Sequence, residues 1–426
     1  EAGDLIKIYN LFPLVAGKMP LWIDKLDYIK SLGFNVVYIN PIFQTGYNRN
    51  IYAPKNFYKF CEEFIDPFST GGTEQFKNFI DTCHSKGIKV IYELIFTHTS
   101  IDSDLLVEHP EWYIMEDGSL KKYTIKAQNS WIEWGDLLEL NNNSDNPEIK
   151  NSIWQYWRDL TETYILYGVD IIKLHSAYCL PQKELKEFIK DIKNKYPHIE
   201  FIGDNLGASF GDMMDLSRAG VDYLFTSFKW WDFKAPWFFE QHYKLKDNVK
   251  LISFPENYDT ERVSKKYNGN ENAQKIFYAI AALLNNGVSV PIGFETGSKI
   301  KLNDLSSFSF DFEHEEFDIK DYIKKINDIK SSYTIFSEEN DIYYLSQKNE
   351  NIFALKKMNK EKNEFAILIA NLNFSNSEKV VLNDIFYIIE SSNIIDISPD
   401  YTEIINTKNY EKTLQAGEIR ILYSKK

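Results

Sequence analysis

The chain has 426 residues, of which 44% are hydrophobic, so it is long enough to bury a large core and to form more than one domain. Its formal net charge of −14 argues against binding to nucleic acid or to anionic membrane surfaces, because both attract basic patches. No uninterrupted apolar run reaches the length that a membrane-spanning helix requires.

The three cysteines, Cys61, Cys83 and Cys179, are too few and too scattered to form a disulfide framework. No CxxC motif and no cluster of histidines and cysteines suggests zinc, so we expect neither a metal nor a cofactor. The first residues, EAGDLIKIYN, do not have the pattern of a signal peptide, and we therefore expect a cytoplasmic protein.

Along the first 335 residues, short apolar segments alternate with stretches of helical periodicity. Eight of the segments are β-branched or aromatic runs of strand length, bounded by glycine, proline or polar residues. These predicted strands are Leu5–Leu11, Asn35–Ile39, Lys89–Leu94, Val169–Leu174, Phe201–Gly203, Tyr223–Phe225, Lys250–Ser253 and Ser289–Ile292.

Helices are predicted between these strands. After Pro181, which suits the first turn of a helix, apolar residues between positions 185 and 192 recur at helical spacing. Eight strands that alternate with helices predict an α/β fold of the (β/α)8 TIM-barrel type. A doubly wound open sheet is the structural alternative, but no GxGxxG or P-loop sequence supports a nucleotide site in it.

Two further segments complete the predicted organisation. The long stretch after the third strand, about residues 98–148, is expected to be a short inserted subdomain, because insertions at strand ends build active sites in barrels. From about residue 341 the chain carries only strand-like segments separated by Asn, Ser and Gly turns. We therefore predict a barrel over residues 1–335 and a C-terminal antiparallel β-sandwich domain over residues 336–426.

Six segments at the predicted strand ends resemble, in order, the sequence regions of the α-amylase superfamily, glycoside hydrolase family 13. They are GFNVVYINPIF (33–43), FSTGGTEQFKNFIDTCHSKGIKVIYELIFTHTS (68–100), YGVDIIKLHSAYCLP (167–181), FIGDNLG (201–207), LISFPENYDTERV (251–263) and GVSVPIGFETG (287–297). Two more, HPEWY (109–113) and FTSFKWWDFKAPWFFEQ (225–241), are most similar to the branch that contains maltosyltransferases.

The resemblance implies a glycosidase barrel, but the catalytic positions are altered. The family's nucleophilic Asp corresponds to His175, and its acid/base Glu corresponds to Asp204. The third carboxylate, which stabilises the transition state in the family, is kept as Asp259. These three residues are our candidates for a catalytic role.

Other positions of the resemblance are altered as well. The family's Arg two residues before the nucleophile is Lys173, and its His before the third carboxylate is Tyr258. In the first region, the Asp is replaced by Glu93 and the Asn by Thr97, while His98 is retained. Because that Asn supplies a calcium ligand in many family members, calcium is not expected here.

These changes bear directly on the chemistry. Retaining glycoside hydrolysis needs two carboxyl groups about 5–5.5 Å apart, one to attack the anomeric carbon and one to protonate the leaving oxygen. A neutral imidazole at His175 cannot stabilise an oxocarbenium-like centre, and a protonated one would repel it. Asp204 also shortens the acid by one methylene. Ordinary retaining activity is therefore expected to be lost.

Each candidate also has a structural interpretation. His175 can be a buried, hydrogen-bonded histidine, and the two aspartates can be structural carboxylates paired with Lys173. The candidate substrate-binding residues are His98, Lys173, Tyr258, Trp230 and Trp231. The two tryptophans can equally serve in core or loop packing.

Three functions stay open at this point. The protein can be an impaired α-amylase homologue that binds α-glucans or related sugars. It can be a glycosidase or glycosyltransferase with rewired chemistry that uses Asp204 and Asp259, with His175 as a base or unusual nucleophile. It can also be a non-catalytic interaction or scaffold protein. The expected ligand is an oligosaccharide or a sugar phosphate, and the sequence leaves the oligomeric state open.

Overall fold

A computed structural model describes residues 4–127, 130–306 and 315–426. Eight parallel strands close into a barrel in which each strand pairs with its neighbours in chain order. These strands are Ile6–Asn10, Val36–Ile39, Lys89–Leu94, Ile171–Leu174, Glu200–Gly203, Tyr223–Phe225, Lys250–Ser253 and Gly287–Pro291. The predicted (β/α)8 barrel is confirmed.

Helices cover the barrel because their apolar stripes pack on the outer faces of the strands. The helix Gln182–Lys195 shows this directly, since its buried residues are the four that recur at helical spacing in the sequence. None of the helices in the described parts of the chain is long and apolar enough to cross a membrane. The helices up to residue 332 are Pro13–Ala16, Met19–Ile23, Leu26–Ser31, Gly72–Ser85, Asp104–Glu108, Pro147–Leu166, Gln182–Lys195, Phe210–Ala219, Trp237–Leu245, Val263–Lys266, Glu271–Leu284 and Lys320–Ser332.

Small antiparallel sheets follow the second and third barrel strands. Phe43–Thr45 pairs with Pro54–Phe60 after the second strand. After the third strand, a three-stranded sheet orders its strands as His98–Ser100, Ser130–Glu139 and Lys122–Ala127. A two-residue pair, Met115–Glu116 and Ser119–Leu120, lies in the same stretch. These segments lie on the side of the barrel where the strands end.

The C-terminal part of the chain is antiparallel, as predicted. A six-stranded sheet consists, in spatial order, of Asp341–Tyr344, Ile352–Asn359, Glu364–Asn371, Ile419–Lys425, Ile394–Asp396 and Glu403–Ile405. A separate pair is formed by Glu378–Leu382 and Tyr410–Leu414, and the one α-helix described after residue 332 is the single turn Ile385–Ile388. Phe353 and other residues of the six-stranded sheet join the continuous apolar core of the barrel. A second apolar cluster lies within this C-terminal part.

Candidate active site

The candidate site forms where the third, fourth and fifth barrel strands end. Glu93 on the third strand and Lys173 on the fourth are direct partners in the strand register. His175 follows the fourth strand, and Asp204 follows the fifth. Because the carboxyl ends of parallel barrel strands meet on one face, these side chains converge although they lie far apart in the sequence.

Glu93 is the most enclosed group of the site, with no exposed surface. Its carboxylate accepts hydrogen bonds from Tyr38 Oη at 2.5 Å and Tyr52 Oη at 2.8 Å. Lys173 Nζ and His175 Nδ1 each lie 3.1 Å from its Oε1 atom. Burial by itself would raise the pKa of Glu93, but the charge of Lys173 and the hydrogen bond from His175 outweigh it and hold the pKa at about 2. Glu93 is therefore ionised at neutral pH.

His175 is anchored through one edge of its ring. An ionised carboxylate can only accept hydrogen bonds, so His175 Nδ1 donates to Glu93. The ring also lies against Tyr52, with 5.2 Å between the ring centroids, and its side chain is 18% exposed. Among the described residues, no protein group hydrogen-bonds to Nε2. In the neutral ring this atom carries the free lone pair.

Asp204 is held by the backbone. Its Oδ2 accepts the N–H of Ser176 at 3.2 Å, and its Oδ1 accepts the N–H of Leu206 at 3.2 Å. Ser176 has φ 45° and ψ 45°, a left-handed backbone conformation. The His175 ring lies 3.9 Å away from Asp204 Oδ2, measured from Nδ1. Both oxygens of Asp204 are thus engaged as acceptors, an arrangement that suits a carboxylate.

His98 forms part of the wall and is fully buried. Its Nε2 lies 2.8 Å from the carbonyl oxygen of Tyr52, and its Nδ1 lies 2.8 Å from Thr97 Oγ1. Burial and the nearby His175 lower the pKa of His98 to about 3, so the ring is neutral at physiological pH. A carbonyl only accepts, so Nε2 donates to it and Nδ1 accepts from the Thr97 hydroxyl.

These groups surround a cleft of about 140 Å³. One side is aromatic: the rings of Tyr52 and Tyr258 stack with 5.6 Å between centroids and 9° between planes. The full lining comprises Asn50, Tyr52, His98, Tyr123, Ile125, Trp134, Leu137, His175, Ser176, Tyr178, Asp204, Leu206, Tyr258, Asp259 and Asn303. The lining thus combines aromatic and apolar side chains with convergent polar groups, as in a small-molecule site.

The structure brings most, but not all, of the candidate residues into this cleft. His175, Asp204, Asp259, His98 and Tyr258 all line it. Asp259 lies at the rim, where its half-exposed side chain accepts a hydrogen bond from the Asn303 amide at 2.9 Å.

Three candidates lie elsewhere. Lys173 lies inside the barrel, where it lines a small void of about 20 Å³. Trp231 is buried against Phe238, with stacked rings 4.1 Å apart, and contacts Phe353 of the C-terminal sheet. Trp230 is 57% exposed and lines a separate hollow that also touches Asp259.

Several residues of the site are not singled out by the sequence. Tyr52 lies outside the six family-like segments, Tyr38 lies in the first of them without an assigned role, and Glu93 is noticed only as a replacement for the family's Asp. The sequence feature that could identify Glu93 and Lys173 is their position near the ends of predicted strands, because barrel sites form there.

A metal ion does not suit this site. Glu93, His175 and Asp204 each offer one possible ligand atom, and these atoms lie within 4.8 Å of one another. However, the ammonium group of Lys173 lies 3.1 Å from Glu93 and already neutralises its charge. A divalent cation beside it would be repelled, so we assign no metal to these residues.

A closed (β/α)8 barrel with a C-terminal antiparallel sheet and a cleft at the strand ends defines a protein of the α-amylase fold. Residues 15–193 match the family model for the alpha amylase catalytic domain. The resemblance of the chain to the α-amylase superfamily is thereby confirmed.

The relatives include maltosyltransferases. The alpha-1,4-glucan:maltose-1-phosphate maltosyltransferase of Picrophilus torridus is 24% identical over 465 residues, which cover all of this chain and 69% of the relative. The protein of the same name from Burkholderia pseudomallei is 22% identical over 68% of this chain and 25% of its own length. Among solved structures, the alpha-amylase of Geobacillus thermoleovorans in complex with acarbose is similar with a TM-score of 0.79, at 19% identity and 98% coverage of both chains. This similarity shows that the two proteins share a fold.

Proposed function

We propose that this protein binds α-glucans or related oligosaccharides in the strand-end cleft and does not carry out retaining glycoside hydrolysis. The observation that carries the proposal is the pairing of His175 with Glu93 at the position of the family's nucleophile. The sequence resemblance assigns His175 to that position, so an imidazole would take the place of the carboxylate that attacks in the family.

Neighbouring carboxylates are poorly placed to replace the nucleophile. Glu93 is fully buried and receives hydrogen bonds from four side chains, so an attack on a sugar would require breaking a buried ion pair. Asp204 has both oxygens bonded to backbone N–H groups, which disfavours its service as a proton donor. This arrangement also weighs against the alternative in which Asp204 and Asp259 form a rewired carboxylate pair.

Sugar binding is supported by the composition of the cleft. Pyranose rings present apolar C–H faces that pack on aromatic rings, and Tyr52, Tyr258 and Trp134 offer such surfaces. Asn50 and Asn303 add amide donors and acceptors for hydroxyl groups. The maltosyltransferase relatives act, by their names, on a glucan and on maltose 1-phosphate. An open cleft of this kind favours a ligand-binding protein over one that serves only as a scaffold.

The test is calorimetric titration with maltose, maltotriose and maltoheptaose, together with an assay for release of reducing ends. We expect binding without hydrolysis. Trp134→Ala should weaken binding about tenfold, a loss of about 1.4 kcal/mol. Trp131→Ala is the matched control, because Trp131 lies on the same strand, is 70% exposed and does not line the cleft.

Two results would contradict the proposal. Absence of binding to every maltooligosaccharide would favour the interaction-protein alternative. Hydrolysis at ordinary enzyme rates with retention of the anomeric configuration would mean that a nucleophile operates in this cleft.

A further inference from the structure

The Glu93–His175 pair fixes which nitrogen of His175 can accept a proton. Glu93 is ionised and acceptor-only, so it holds the hydrogen on Nδ1 and leaves the lone pair on Nε2. His175 is also a lining residue of the cleft and is partly exposed, whereas Glu93 is sealed behind it. A carboxylate that orients an imidazole in this way is the usual arrangement behind a histidine general base.

The charged and titratable groups that face His175 come from several barrel strands. Glu93, from the third strand, and Asp204, after the fifth, are the carboxylates that face His175, at 3.1 Å and 3.9 Å from Nδ1. His98 meets the ring edge-on with 5.7 Å between centroids and is neutral, so it adds little repulsion. The ammonium group of Lys173 is paired with Glu93 and offsets one of the two negative charges.

We propose that His175 acts through Nε2 as a general base on a water molecule or sugar hydroxyl that attacks the anomeric carbon of a bound glycosyl donor. The proposal rests on the sugar-binding function proposed above. In the step, the attacking oxygen forms a bond to the anomeric carbon while the bond from that carbon to the leaving group breaks. The electron pair departs with the leaving group, and the proton passes to Nε2 and then to solvent. A single displacement of this kind inverts the anomeric configuration.

The hydrogen bonds of Asp204 restrict the class of donor. Both of its oxygens accept backbone N–H groups, so it is poorly placed to protonate a departing sugar oxygen. The site therefore favours a donor whose leaving group needs no proton and departs as a stable anion. Glycosyl phosphates meet this requirement, whereas ordinary α-glucans do not.

The experiment uses α-glucosyl fluoride and α-glucose 1-phosphate, whose leaving groups need no proton, with product anomers followed by NMR. We expect slow release of fluoride or phosphate with the inverted β-glucose as first product. His175→Gln should lower the rate at least about 100-fold, the typical contribution of a general base. His198→Gln, at an exposed position remote from the cleft, is the control and should leave the rate unchanged.

Glu93 is assigned a positioning role, which has its own readout. Glu93→Gln should lower kcat with little change in KM, because an amide can donate to Nδ1 as well as accept from it and no longer holds the hydrogen on Nδ1. If this variant does not fold, Glu93→Gln combined with Lys173→Met removes both buried charges together and should show the same loss of kcat.

The outcomes separate this proposal from the previous one. Retention of configuration, an unchanged rate in His175→Gln, or no turnover of either activated donor would overturn the general-base role. If maltooligosaccharides still bind in those cases, the sugar-binding function stands. If neither binding nor turnover is found, both proposals fail.

Discussion

Where the third and fourth barrel strands end, the oppositely charged side chains of Glu93 and Lys173 are buried together, so solvent does not screen their interaction. Lys173 Nζ and Glu93 Oε1 are 3.1 Å apart, and the side chains are 2% and 0% exposed. The ammonium group also lies over the rings of Tyr38 and Tyr258, at 4.9 Å and 5.1 Å from their centroids. Such a pair contributes little net stability when intact, but loss of one partner is costly, because it leaves an uncompensated buried charge.

We expect Lys173→Met to lower the free energy of unfolding by about 3–5 kcal/mol, measured by urea denaturation. The double variant with Glu93→Gln should lose less than the sum of the two single variants, since the orphaned charge is then absent. Lys195→Met, which disrupts an exposed ion pair with Glu162, should leave the unfolding midpoint unchanged. Additive losses in the double variant would argue that the two groups are not coupled.

The pKa of His98 predicts a pH dependence of stability. Burial and His175 lower this pKa from about 6.5 to about 3, so between those values the unfolded chain binds one more proton than the native protein. The stability contribution is therefore complete above about pH 6.5 and is lost as the pH falls toward 3. Glu93 acts in the same direction at lower pH, because its pKa is lowered to about 2.

We expect His98→Gln, which keeps a donor near the position of Nε2, to reduce the slope of unfolding free energy against pH between pH 4 and 6. The reduction should approach one proton, about 1.4 kcal/mol per pH unit. Urea unfolding at several pH values measures the slope. His198→Gln, at an exposed position, should not change it, and an unchanged slope in His98→Gln would mean that His98 is not held neutral.

At the scale of the strands, closure of the barrel depends on a glycine, Gly287, because it has no side chain. Gly287 begins the eighth strand and pairs with Ile6 on the first and Ile252 on the seventh. A Cβ at this position would lie 2.7 Å from Cγ1 of Ile252 and 3.2 Å from Cγ1 of Ile6. The close approach of neighbouring strands therefore requires glycine here.

Gly287→Ala is expected to destabilise the protein by about 1–3 kcal/mol, the usual cost of overpacking. Thermal or urea unfolding followed by circular dichroism measures the change. Gly135→Ala is the matched control, because Gly135 also lies in a strand but a Cβ there would meet no atom of the described residues within 4 Å. Equal stability of the two variants would show that the neighbouring strands adjust without cost.

At the scale of the whole molecule, the barrel and the C-terminal sheet share an apolar core. Phe353 on that sheet contacts Trp231 and Phe233, which follow the sixth barrel strand, with ring centroids 5.8 Å and 5.5 Å apart. Lys357, on the same strand as Phe353, reaches the carbonyl oxygen of Leu284 at the end of a barrel helix at 2.5 Å. We therefore expect the two parts to unfold together.

We expect Phe353→Ala to destabilise the protein by about 3–5 kcal/mol and to shift one cooperative transition rather than create two. Calorimetry and tryptophan fluorescence should report the same midpoint, because the tryptophans lie in the barrel part and sense its unfolding. Phe68→Ala removes a side chain that is 97% exposed and should have little effect. Two separate transitions in Phe353→Ala would show that the two parts unfold independently.

The sequence by itself determined the barrel, its eight strands and the antiparallel C-terminal part, because these follow from local periodicity, turn residues and the order of motifs. It also singled out His175 and Asp204 as candidate site residues, through the resemblance to the α-amylase superfamily. Only the tertiary structure decided what these residues contact. His175 meets Glu93 across 82 residues of chain, and Lys173 meets it across 80, through the pairing and register of the third and fourth strands. The same long-range packing buries Trp231, leaves Trp230 exposed and places Lys173 beneath the cleft. Local patterns carry no information about such contacts, since they depend on which distant strands become neighbours.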